Sequence, residues 1–82
     1  MRVVGNYRLV LAVCAALQHG RPVLGNGLGV YSYADPDRRV RFVVARYRKG
    51  RTERGEAQPD AYEAAVEFVS RLKSTEGVRI IG

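Results

Sequence analysis

Eighty-two residues, 46% of them hydrophobic, make one small domain, which buries roughly 60–65% of its unfolded surface and holds a margin of only about 3–5 kcal/mol. One cysteine, Cys14, excludes an intrachain disulfide and suits a reducing, cytoplasmic setting, and one histidine, His19, leaves no Cys/His set for zinc and no catalytic triad with a choice of members. The net charge is +6, yet residues 38–55, "RRVRFVVARYRKGRTERG", alone carry +7, with eight of the fourteen Lys and Arg residues against Glu53; charge concentrated in this way makes a focused field that attracts polyanions.

In chain order, "NYRLVLAVCAALQHG" reads as a helix over about 6–19, with Asn6 as its cap and Gly20 as its stop. It is apolar nearly all round, so cover is expected on most sides, by a sheet and by a second copy of the chain. The run 9–18 behind Arg2 and Arg8 also has the layout of a signal peptide, but its removal would leave roughly sixty residues without a cysteine to staple them, so it is read as part of the fold. It is too short to span a bilayer. Cys14 is expected as inert packing and His19 as a helix-end residue.

The segment 20–29, "GRPVLGNGLG", is rich in glycine and reads as a loop. It lacks the Gly-Lys-Ser/Thr ending of a phosphate loop and the strand-to-helix setting of a dinucleotide site. Two turns, at Asp35-Pro36-Asp37 and Lys49-Gly50, then divide three antiparallel strands, about 29–34, 39–48 and 51–57. In the middle strand Val40, Phe42 and Val44 share one face and Arg39, Arg41 and Val43 the other. Beyond Val44 the alternation falters, because Arg46 and Arg48 continue the apolar parity while Ala45 and Tyr47 continue the basic one. Either a bulge reverses the faces or the end of the strand leaves the core.

"DAYEAAVEFVSRLK" reads as a helix over about 60–74, with Ala61, Ala64, Ala65, Phe68, Val69 and Leu72 on one face. Asp60 and Glu63 form a capping box, and Arg71 and Lys73 complement the dipole at the far end. The tail "GVRIIG" echoes the head "MRVVG"; each is a short β-prone run, and a strand is expected over about 78–81. The fold class is therefore α+β: a three-stranded antiparallel sheet packed against an N-terminal and a C-terminal helix, with a short C-terminal strand.

The stretch from Tyr33 to Leu72 resembles the body of a double-stranded-RNA-binding domain, in its proline turn at Asp35-Pro36-Asp37, its strand with Phe42, its turn at Lys49-Gly50, its Gly55 and its alanine-faced helix ending at Leu72. That family grips phosphate with lysines at the start of the last helix, where this chain has Pro59, Asp60, Ala61, Tyr62 and Glu63, so the resemblance implies the fold and not the RNA contacts. The same strands also resemble the three-strand-plus-helix domains of tyrosine recombinases and plant ethylene-response factors. These lay an arginine- and aromatic-rich sheet into the DNA major groove, though this sequence lacks their tryptophan.

The expected function is non-enzymatic nucleic-acid binding, DNA slightly ahead of RNA, through Arg38, Arg39, Arg41, Arg46, Tyr47, Arg48, Lys49, Arg51 and Arg54. Arginine alternating along a ribbon reaches phosphates and guanine edges, and Tyr31, Tyr33 and Tyr47 either stack on bases or pack across strands. The alternative is a small inhibitor or antitoxin-like regulator that docks its basic patch on an acidic protein. Basic side chains gathered on one exposed sheet face favour nucleic acid; basic side chains spread around the rim favour protein. The acids Asp35, Asp37, Glu53 and Glu56 would have to converge without histidine to make an enzyme, and nothing in their spacing requires it. No cofactor, metal or membrane partner is expected, and a homodimer through the apolar helix or the terminal strands is.

Overall fold

Asn6 starts the first helix, α1 (Tyr7–Gln18), by accepting the Leu9 N–H on Oδ1 at 3.0 Å, which satisfies one of the amides a helix leaves open at its start. The computed structural model describes residues 6–37, 39–48, 51–52 and 55–82. One face of α1 is covered: Val10, Val13, Ala16 and Leu17 are buried. On the outer face Tyr7 and Leu11 remain 59% and 47% exposed, so among the described residues the helix is covered on one side rather than on most.

The segment read as a loop over 20–29 contains a hairpin. Strands β1 (Val23–Gly25) and β2 (Leu28–Ala34) pair antiparallel with Gly25 opposite Leu28, leaving Asn26 and Gly27 as a two-residue turn. Both turn residues have positive φ, 56° and 75°, the geometry that matches the twist of the flanking strands and that Asn-Gly adopts with least strain. The number of glycines had masked the meaning of this one pair.

Strand β3 (Val40–Arg48) pairs with β2 in unbroken register from Ala34↔Val40 to Leu28↔Arg46. No bulge interrupts β3 along this pairing, so its faces do not reverse. The faltering alternation instead marks the strand running past the core: Val44 is buried, while Arg46 and Arg48, on the same side by parity, are exposed.

The register shifts on the returning chain instead. Strand β4 (Arg51–Thr52) pairs with Arg48 and Tyr47, and strand β5 (Glu56–Gln58) with Val44, Val43 and Phe42. The third expected strand is thus two pieces, and between the Tyr47↔Thr52 and Val44↔Glu56 pairings the returning chain counts one residue more than β3. Gly55 makes this possible, because a Cβ there would meet the Val44 carbonyl oxygen, the Ala45 Cβ and a Val43 methyl, all inside contact distance.

Helix α2 (Ala61–Arg71) follows, capped by Asp60 Oδ1, which accepts the Glu63 N–H at 2.7 Å. Its buried face is Ala61, Ala64, Ala65, Phe68 and Val69. Strand β6 (Arg79–Ile80) closes the order β4-β3-β2-β1-β6, with β5 on the β4 side of β3 and every pairing antiparallel. This is a wider sheet than three strands, because the Asn-Gly hairpin and the C-terminal strand extend one edge. The head "MRVVG", which the tail echoes, lies outside the described residues.

Both helices lie on one face. Val10, Val13, Leu17, Phe68 and Val69 form one cluster with Val23, Val30, Phe42 and Val44, the inward side of the strands. Among the described residues no helix lies over the opposite face of the sheet, to which Tyr31, Tyr33, Arg41, Val43, Ala45 and Tyr47 belong by alternation.

Candidate functional site

The two ends of β3 place its arginines in different surroundings. At the first end Asp35 organises the turn: its Oδ1 accepts the Asp37 N–H at 3.1 Å and the Arg39 N–H at 3.0 Å, and its own N–H donates to the Arg39 carbonyl at 3.0 Å. The other carboxylate oxygen receives Arg41 Nε at 3.4 Å. Both partners are partly solvated, so the pair is worth at most about 1 kcal/mol to stability, but it sets an anion beside Arg41 and lowers its pull on any other. Arg39 is exposed.

At the far end the backbone carries Arg46 and Arg48 past the last buried residue, toward the C-terminus of α2. There they meet Arg71 and Lys73. These four cations, with Asn26, Gly27 and Leu28, line an open cleft of about 300 Å³. Asn26 Nδ2 donates to the Ser74 carbonyl at 2.7 Å, tying the β1–β2 turn to the chain that leaves α2 and fixing two walls of the cleft together. Among the described residues no carboxylate lies within ion-pair distance of any of the four cations. Like charges held this close repel one another, and an anion between them relieves that repulsion. Guanidinium forks suit the oxygens of a phosphate in particular.

On the helix-free face, Val43 and Ala45 are buried, at 7% and 2% exposure, although they belong to no helix contact. The close approach of Gly55 covers them from one side. Beyond them a shallow groove of about 450 Å³ is bordered by Pro22, Leu24, Tyr31, Tyr47 and Ile81. Tyr33, 40% exposed, continues the aromatic row beside Arg41, its cross-strand partner.

The expected site residues therefore divide. Arg41 and Tyr47 belong to the helix-free face, Arg46 and Arg48 to the other, Arg39 is exposed in the turn before β3, and Arg51 stands opposite Arg48 in β4. Arg38, Lys49 and Arg54 lie outside the described residues. Arg71 and Lys73, which sequence reasoning assigned to the helix dipole alone, join the cleft. The available signal was the set of two cations at a helix C-terminus together with the two that broke the alternation of β3.

No family model, curated protein or solved structure matches the chain. No helix among the described residues is long and apolar enough to cross a membrane.

Proposed function

We propose that this chain is a non-enzymatic nucleic-acid-binding protein that holds phosphate at the far end of β3. The observation that carries the reading is the cleft in which Arg46, Arg48, Arg71 and Lys73 converge without a carboxylate partner among the described residues. The excess charge of the whole chain sits on the same strand and its return. A phosphodiester backbone is the polyanion whose spacing of charges lets one oxygen pair enter the cleft while its neighbours meet the exposed arginines on either side. The two family resemblances contribute the idea of a sheet with arginines facing nucleic acid; the contacts proposed here are this chain's own.

Fluorescence anisotropy with labelled DNA and RNA of one sequence, single-stranded and duplex, over a range of salt concentrations tests the reading. Micromolar or tighter binding that weakens steeply with salt, and that weakens further in Arg46→Ala/Arg48→Ala, is expected. Absence of binding to all four nucleic acids at low salt overturns it.

A second reading, docking on an acidic protein, is favoured by the division of the strand's arginines between both faces and the rim. Binding of an acidic protein with no response to nucleic acid would select it. Self-association is supported by the exposed Tyr7 and Leu11 on α1 and by Ile80 and Ile81 at the β6 edge. Sedimentation across a concentration series, wild type against Leu11→Glu, reads it directly; a monomer at every concentration excludes it.

A further inference from the structure

The helix-free face is chemically unlike the cleft behind it, and the two meet at the same three residues of β3. Tyr47 stands on the face while its neighbours Arg46 and Arg48 turn to the cleft. The β1–β2 hairpin spans the same divide, with Leu24 and Pro22 bordering the groove and Asn26 and Gly27 the cleft. Aromatic and apolar surface on one side of a strand end and, on the other, cations without a carboxylate partner among the described residues form a pair of surfaces for a ligand with flat faces and a charged backbone.

We infer that the ligand is single-stranded nucleic acid, its bases stacked on Tyr31, Tyr33 and Tyr47 and its phosphates drawn to the Arg46–Arg48–Arg71–Lys73 cleft. This rests on the proposed nucleic-acid reading and narrows it. Every base has a π-face, and stacking on a ring needs no sequence. Tyr31 and Tyr33 are two residues apart on one face of β2, so their rows lie about 7 Å apart along the strand, room for successive unstacked bases. Gly29 keeps the surface between Leu24 and Tyr47 low: a Cβ there would stand 3.0 Å from Leu24 Cδ2 and 3.7 Å from Tyr47 Cβ. Arg41 beside Tyr33, and Arg79 opposite Leu24 on the other flank, supply positive charge at the margins of the face.

Width argues against a duplex on the same face. Five strand positions at about 4.8 Å spacing span roughly 19 Å, whereas the major groove is about 12 Å wide. A paired duplex also keeps its base faces stacked on one another, out of reach of the tyrosines. An acidic protein offers the charge but not the row of flat π-faces.

The chain has five tyrosines and no tryptophan, so the rings themselves report. Tyr7 and Tyr62, exposed on the two helices away from the groove, are internal references. The experiment follows ring resonances of tyrosine-labelled wild-type protein, assigned by single Tyr→Phe variants, during titration with oligothymidylate, oligouridylate, a duplex and polyglutamate. The expected result is upfield movement of the Tyr31, Tyr33 and Tyr47 rings with either single strand, stationary Tyr7 and Tyr62 rings, and single-strand affinity at least tenfold above duplex. Tyr33→Ala, at the most exposed of the three positions, is expected to lose about tenfold in single-strand affinity with its melting temperature unchanged. Tight duplex binding with stationary rings overturns single-strand stacking and leaves the nucleic-acid reading standing. Single-strand binding matched by polyglutamate, with stationary rings, also overturns stacking and reduces the site to a polyanion surface. No response to any nucleic acid overturns both.

Discussion

Arg41 and Arg46 lie five residues apart on one strand, yet the first faces an anion and the second faces three other cations. At the Asp35 end the turn that begins β3 brings its own carboxylate, which binds two backbone amides and then reaches the arginine. At the far end the strand outruns the buried core and arrives beside a helix C-terminus that already carries Arg71 and Lys73. Residue type is the same at both ends; what differs is the neighbour supplied by the topology. A count of arginines along "RRVRFVVARYR" therefore measures available charge and not free charge: Arg41 is answered by Asp35, whereas Arg46 and Arg48 share a cleft with two further cations.

The strongest way to break this comparison is to remove the frame that holds both ends. Gly55→Ala places a methyl against the Val44 carbonyl and the Ala45 Cβ, and the close approach that lets the returning chain follow the edge of β3 is lost. Urea unfolding is expected to show a loss of about 2–4 kcal/mol, most of the margin of a domain this small; an unchanged midpoint would show that the returning strand bears little of the fold. Next in size is removal of the cleft's charge. Arg46→Ala/Arg48→Ala/Arg71→Ala/Lys73→Ala is expected to weaken binding to an oligonucleotide by about a hundredfold at low salt and to lower the slope of log K against log salt by about 2, while a slope equal to wild type would move the phosphate contacts elsewhere.

The same titration applied to the other end sharpens the contrast. Arg41→Ala is expected to cost less than about threefold, since its charge is already partly answered by Asp35; a loss as large as that of the cleft variant would erase the difference between the ends. The smallest effect is the reverse one. Asp35→Asn keeps an oxygen at Oδ1 for the turn amides and removes the charge beside Arg41, so affinity is expected to rise about twofold, and a fall would mean that the carboxylate positions Arg41 for binding.

Much of this architecture was legible from short-range rules. The caps Asn6 and Asp60, the alanine face of α2 and the proline turn at Asp35 each depend on residues within a few positions of one another. The Asn26-Gly27 turn was equally local, but the surrounding glycines made a flexible loop the simpler reading. The parity of β3 was legible as far as Val44. Past that point the alternatives were a bulge or an end beyond the core, and deciding between them requires knowing how far the helices reach over the sheet, which no local pattern encodes. For the same reason Arg71 and Lys73 read only as partners of their own helix dipole, because their meeting with Arg46 and Arg48 joins segments more than twenty residues apart.

The most direct test of the central claim follows the arginine Nε–Hε resonances of the intact protein as a short single-stranded oligonucleotide is added, assigned by single Arg→Lys variants. The account predicts that the Arg46, Arg48 and Arg71 signals shift together, along one saturating curve that salt weakens, and that the Arg41 signal moves least. Movement of Arg41 with Arg46, Arg48 and Arg71 stationary would contradict it and place the binding surface at the opposite end of the strand.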